Sequence, residues 1–117
     1  YPAAREATVF EGAIDLKFSV PTSTGVLIEA FADGSNVTVR MWGTRTVNVE
    51  SIPGGRSSFT SPNVVTVPKG KDCSPSSGAQ GFTASDTRVL RDVRTGQETS
   101  RKTRTVIYDP SPIVRCA

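Results

Sequence analysis

Turn-forming residues interrupt this chain about every ten residues, a spacing that leaves room for short β-strands and little else. Between the Gly, Pro, Ser and Thr positions the sequence is rich in Val, Ile, Thr and Phe, and no segment carries a convincing helical period. The clearest expected strand runs from Ile14 to Val20, where Ile14, Leu16, Phe18 and Val20 alternate with Asp15, Lys17 and Ser19. Pro21 ends it. After a turn at 22–25, Val26 to Phe31 is almost continuously apolar, the pattern of a strand covered on both sides. Asp33-Gly34-Ser35-Asn36 makes the next turn. Val37, Val39 and Met41 then alternate with Thr38, Arg40 and Trp42, and a further strand is expected from about Arg45 to Ile52. These segments read as an antiparallel meander.

Pro53-Gly54-Gly55 breaks the alternation, and the sequence from there to Gly81 reads as loop, except for a short edge strand at 63–67 between Pro62 and Pro68. Lys69 to Gly81 looks like a linker. Phe82 to Val93 and Glu98 to Tyr108 then flank Arg94-Thr95-Gly96-Gln97, a long, charged hairpin whose Gly can supply positive φ. A last short strand follows the two prolines at 110 and 112. The fold class expected is therefore all-β: an antiparallel meander of short strands followed by a long β-hairpin unit, braced by one disulfide.

That disulfide is expected between Cys73 and Cys116, the only cysteines of the chain. Zinc would need about four ligands, and a sequence without histidine does not assemble them by the usual means. The alternative is two unpaired buried thiols. A bridge implies an oxidising, extracytoplasmic compartment, and it would pin the last strand back onto the linker.

At 117 residues, with 36% hydrophobic and 21% charged residues, the chain has the composition of one globular domain, with one core or two thin ones. No apolar run approaches the roughly 20 residues that span a bilayer. The chain starts at Tyr1 with no charged-then-apolar leader, and so reads as a processed or excised piece with any export signal upstream. A net charge of +3 favours acidic partners, weakly.

The absence of histidine rules a Ser-His-Asp or Cys-His arrangement out of the chain itself. Lys69 and Lys71 near Ser74, Ser76 and Ser77 lie in a solvated connector, where a lysine pKa is hard to depress. Glu6, Glu11, Asp15 and Glu29 show no sign of facing one cleft, as glycoside cleavage would need. No cofactor motif is present; Gly54-Gly55 and Lys69-Gly70-Lys71 lack phosphate-loop spacing. The candidate contacts are instead surface groups. Trp42 beside Arg40 could stack on a sugar, the alternative being packing against the following loop or second unit, with Tyr108 a second aromatic candidate. Arg88, Arg91, Arg94, Arg101, Lys102 and Arg104 concentrate on the long hairpin, where Arg91, Arg101 and Arg104 are the candidates for contact with an anionic polymer; Asp86, Asp92 and Glu98 dilute them, and the alternative is a solvated strand face with opposite-charge pairs. The hairpin lacks interleaved aromatics, which argues against nucleic acid.

Tyr1-Pro2-Ala3-Ala4-Arg5-Glu6-Ala7-Thr8-Val9, Asp15-Leu16-Lys17-Phe18, Val26-Leu27-Ile28 and Trp42-Gly43-Thr44, in that order and spacing, resemble the VanW domain. Gly81-Phe82 through Gly96 to Tyr108-Asp109-Pro110-Ser111-Pro112-Ile113-Val114 is similar to the tail that follows such domains, itself akin to the G-five cell-wall domain. Ala4 stands where the family usually shows Gly, and the repeated glycines of the G-five domain are nearly absent. The resemblance implies a C-terminal part of a VanW-like β domain at 1–68, a linker at 69–81 and a G-five-like hairpin unit at 82–117. It further implies a bacterial envelope or secreted protein, and a non-catalytic module that binds or positions on peptidoglycan or another wall polymer. The alternative is the C-terminal half of a peptidoglycan-modifying enzyme whose reacting groups lie upstream.

Overall fold

The computed structural model describes residues 2–117, and among them every regular element is a strand: β1 (Val26–Asp33), β2 (Asn36–Gly43), β3 (Val47–Thr60), β4 (Val64–Val67), β5 (Gly81–Asp92), β6 (Glu98–Tyr108) and β7 (Ile113–Cys116). The all-β class, the antiparallel sheets of short strands and the single disulfide expected from the sequence are all present.

Two hairpins form where the sequence places tight turns. β1 and β2 pair antiparallel from Val26↔Gly43 to Asp33↔Asn36, leaving a two-residue connection in which Gly34 takes φ 54°, the left-handed region such turns require. β5 and β6 pair from Phe82↔Tyr108 to Arg91↔Glu98. In their turn the Asp92 carboxylate accepts the backbone N–H groups of Arg94 and Thr95 at 2.8 and 3.0 Å, which pull its pKa below the usual aspartate value.

The remaining pairings are long-range. β3 leaves the first hairpin and pairs antiparallel with β5, making a three-stranded sheet in the order β3-β5-β6. Pro53-Gly54-Gly55 does not end β3: the strand passes through as a bulge between Pro53 and Arg56, with a second irregularity between Ser57 and Thr60. A Cβ at 54 would lie 1.9 Å from Ser85 Oγ, so a side chain there would force Ser85 to move, and Gly55 takes φ 74°. The segment Ile14–Val20 differs most from expectation. It forms no strand beyond an isolated Phe10↔Ile14 bridge, and its apolar side chains are exposed. Alternation makes a segment competent to pair, but the ladder needs a neighbouring edge, and none lies beside it.

At the other end, β4 and β7 pair in parallel from Val64↔Ile113 to Val67↔Cys116. Residues 69–81 run along the free side of β7, through Ser76↔Val114 and Ala79↔Ser111. The Cys73–Cys116 bond closes this three-part clasp, joining residues 43 apart with Cα atoms at 5.9 Å. The last strand is thus pinned to the linker.

Little of the chain is core. Among the described residues the buried apolar ones are Ala4, Ala84 and Val89, and of these Val89 alone is wholly buried. The radius of gyration is 20.5 Å, whereas a compact chain of this length has roughly 13 Å. The molecule is long and thin, 64 × 36 × 24 Å, so backbone ladders and the disulfide carry much of what a hydrophobic core usually does.

Candidate functional site

The two faces of the β3-β5-β6 sheet carry charge differently, and strand register sorts the arginines between them. Residues directly opposite on neighbouring strands share a face. Val89 lies opposite Glu50 on β3 and Arg101 on β6, and Arg91 lies opposite Glu98. On this face every cation has an acid. Arg101 Nε and Nη2 donate to the two Glu98 oxygens at 2.8 and 3.0 Å, and Arg91 reaches Glu98 at 3.5 Å and Glu50 at 3.9 Å. The Arg101 hydrogen bond, with the positive charge behind it, holds the Glu98 carboxyl below its ordinary range, and Glu98 raises Arg101 in turn. Val89 is the wholly buried side chain at the centre of this face, flanked by long side chains whose methylenes can cover apolar surface.

The opposite face is built from Asp86↔Arg104 and Arg88↔Lys102, with Ser51 of β3 opposite Arg88. Here two cations face each other directly. Asp86, the one acid, is already engaged: Ser51 Oγ donates to both of its oxygens at 2.7 Å, and Arg5 Nε lies 2.9 Å from Oδ1. The Ser51 hydrogen bond and then the Arg5 contact hold the Asp86 carboxyl below its usual value, outweighing the opposing effect of burial.

The N-terminal segment forms a strap across this face. Ala4 takes φ 64°, which is unusual for a residue with a Cβ, and is nearly fully buried. Its N–H donates to Tyr108 Oη at 2.8 Å, the Tyr108 hydroxyl donates to Glu6 Oε1, and Arg104 Nη1 donates to the Glu6 carbonyl at 3.2 Å. The Tyr108 hydrogen bond lowers the Glu6 pKa, and the same bond raises that of Tyr108. Strap and strands enclose an open cleft of about 490 Å³ lined by Ala4, Arg5, Asp86, Arg88, Thr103 and Arg104, together with Lys102.

The β1–β2 hairpin displays a second surface. Leu27, Glu29 and Phe31 share one face with Trp42, Arg40 and Thr38. Trp42 is 56% exposed, and its Nε1–H donates to Glu29 Oε2 at 3.4 Å. Arg40 Nη1 reaches the same oxygen at 3.5 Å while its guanidinium lies 5.1 Å from the centre of the Phe31 ring. The reverse face, from Val26, Ile28, Ala30 and Ala32 to Val37, Val39 and Met41, has no polar side chain and is not covered by any of the described residues.

The six contact candidates named from sequence therefore separate. Trp42 and Arg40 stand together on the hairpin. Arg91 and Arg101 lie in the ion-pair cluster, Arg104 beside the cleft. Tyr108 packs its ring 4.8 Å from that of Phe82 and spends its hydroxyl on the strap. Sequence reasoning missed Arg5, whose position depends on a contact 81 residues away. Arg88 and Lys102 lie in the same basic run as Arg91 and Arg101, and counting outward from the turn puts the two pairs on opposite faces. Compared with protein-family models, with curated proteins and with solved structures, the chain matches none.

Proposed function

We propose that this chain is a non-catalytic extracytoplasmic module of a VanW-like cell-envelope protein, and that it positions that protein on peptidoglycan or another wall polymer. The observation that carries the reading is the exposed Trp42 indole with Arg40 and Glu29 held beside it. A sugar ring needs a flat apolar surface for its C–H face and nearby donors and acceptors for its hydroxyls, and this face offers both in a fixed arrangement. The disulfide is consistent with an oxidising compartment outside the cytoplasm. No helix among the described residues is long and apolar enough to cross a membrane.

A second reading, the C-terminal half of a peptidoglycan-modifying enzyme with its reacting groups upstream, is favoured by one feature. The uncovered apolar face of the hairpin is what a larger body would pack against. Sedimentation of the whole chain with insoluble peptidoglycan tests the two. Retention that falls about three- to tenfold in Trp42→Ala supports the binding module. No retention by the unaltered chain sinks it, and the enzyme reading then requires hydrolysis or transfer by a longer polypeptide that includes this one.

A further inference from the structure

We propose that the cleft under the N-terminal strap is an anion site for the phosphodiester groups of a wall-type polyol-phosphate polymer. This surface is separate from the Trp42 face; the anion site stands on its own geometry, while the choice of a wall polymer as its source rests on the envelope reading above.

Three observations carry the inference. Four cations, Arg5, Arg88, Lys102 and Arg104, line the cleft against one carboxylate, Asp86. Three positive charges are left over among the lining groups, and the Glu6 carboxylate on the strap, held by Tyr108, acts on Arg104 from beside the cleft. Next, Arg88 and Lys102 are direct cross-strand partners, and among the described residues neither they nor Arg104 has a carboxylate within ion-pair distance. Like charges opposite each other destabilise a sheet, and an anion bound between them would relieve that cost. Finally, the donors are set in advance. Asp86 fixes Arg5 and the Glu6 carbonyl fixes Arg104, and each guanidinium keeps further N–H groups free.

The ligand chemistry follows from the arrangement. A single carboxylate is satisfied by one bidentate arginine, whereas a group of separate cations around an open cleft suits a tetrahedral oxyanion with several acceptor oxygens. The cleft is partly open to solvent, so a polymer need not thread it to place a phosphate there. Among the described residues it is lined by no aromatic side chain on which bases would stack, which favours a polyol-phosphate over a nucleic acid.

The test uses the whole chain, a glycerol-phosphate oligomer as probe, and two double variants of equal charge. Arg88→Gln with Lys102→Gln removes the cleft pair; Arg91→Gln with Arg101→Gln removes the pair on the other face. The cleft variant is expected to bind the oligomer at least about tenfold more weakly, with the dependence of log affinity on log salt reduced by about two. The control variant should stay within about twofold. Without ligand, the cleft variant should melt no lower than the parent, because the substitution relieves repulsion, and the oligomer should no longer raise its melting temperature. Equal losses in both variants, or unchanged binding in the cleft variant, would overturn the site. A single-stranded oligonucleotide of matched charge that binds as tightly as the glycerol-phosphate oligomer would overturn the ligand class. Loss of the Trp42 reading alone leaves all of these outcomes as stated.

Discussion

On one face of β5, Arg91 and Arg101 stand among Glu50 and Glu98; on the other, Arg88 and Lys102 confront each other with no free acid between them. The strands and register are common to both faces, so the difference lies in the side chains and in the strap that crosses one of them. A sheet this thin can be expected to pair its charges across strands, because an unmatched pair costs stability and little core compensates for it. The face over Val89 is paired in that way. The strap-covered face is not: Asp86, the one acid on its strands, is paired with Arg5 and hydrogen-bonded by Ser51, which leaves Arg88 and Lys102 unmatched. The contrast separates charge that supports the fold from charge left available to a ligand.

The largest expected effect tests whether both faces depend on one scaffold. Replacing Cys73 and Cys116 by serine releases a closed loop whose entropy corresponds to about 4 kcal/mol in the chain-entropy treatment. With so few buried residues, urea unfolding should show most of the chain's stability lost, with β7 and residues 69–81 fraying first in hydrogen exchange. Retention of the parent midpoint would mean that the β4–β7 clasp is independent of the sheet whose faces are being compared.

Val89→Ala acts on the paired face alone. It removes two methyl groups from the wholly buried side chain and is expected to cost about 2 kcal/mol. The Arg91, Arg101, Glu50 and Glu98 cluster lies around that position, so the variant should loosen the cluster while the cleft keeps its anion response. A loss confined to the cleft would reverse the assignment of roles. A loss well below the expected size would mean that the charged stems cover the site without close packing.

Much of this contrast was legible in part. Asp33-Gly34-Ser35-Asn36 and Arg94-Thr95-Gly96-Gln97 are local signals, and each produced its hairpin; the two cysteines and the short strand after Pro62 were read the same way. The β3–β5 pairing was not, because a pairing between distant segments leaves no local mark, and Pro53-Gly54-Gly55 reads as a stop when it is a bulge. Glu50 therefore could not be seen as the partner of Arg91. Arg5 was beyond reach for a related reason: its place depends on an alanine in the left-handed region and on a hydroxyl from the far end of β6. The Ile14–Val20 alternation was read as a strand, and its failure to pair shows that pattern fixes which face could be buried but not whether a partner edge is within reach.

The smallest expected effect is a pH response that distinguishes the faces at one end of the scale only. Asp86 and Glu6 on the strap side and Glu98 on the other all have folded pKa values below their ordinary ones. Their contribution is present above the ordinary carboxylate range, about pH 4, and is lost as pH falls through the depressed values, so acid weakens both faces together. Tyr108 has the opposite sign. Its folded pKa is raised by the hydrogen bond to Glu6, so its contribution is complete below about pH 10 and is lost as pH rises through the folded value. A phenolate beside the Glu6 carboxylate would repel it, and the strap should lift from the cleft while the Arg91–Glu98–Arg101 cluster stays intact. Tyrosinate absorbance followed against amide exchange at Ala4 should show the late-titrating component and the loss of protection moving together, and Tyr108→Phe should remove the first and weaken the second at neutral pH. Alkaline exposure of the Arg101 side before Ala4 would mean that the strap is not what sets the two faces apart.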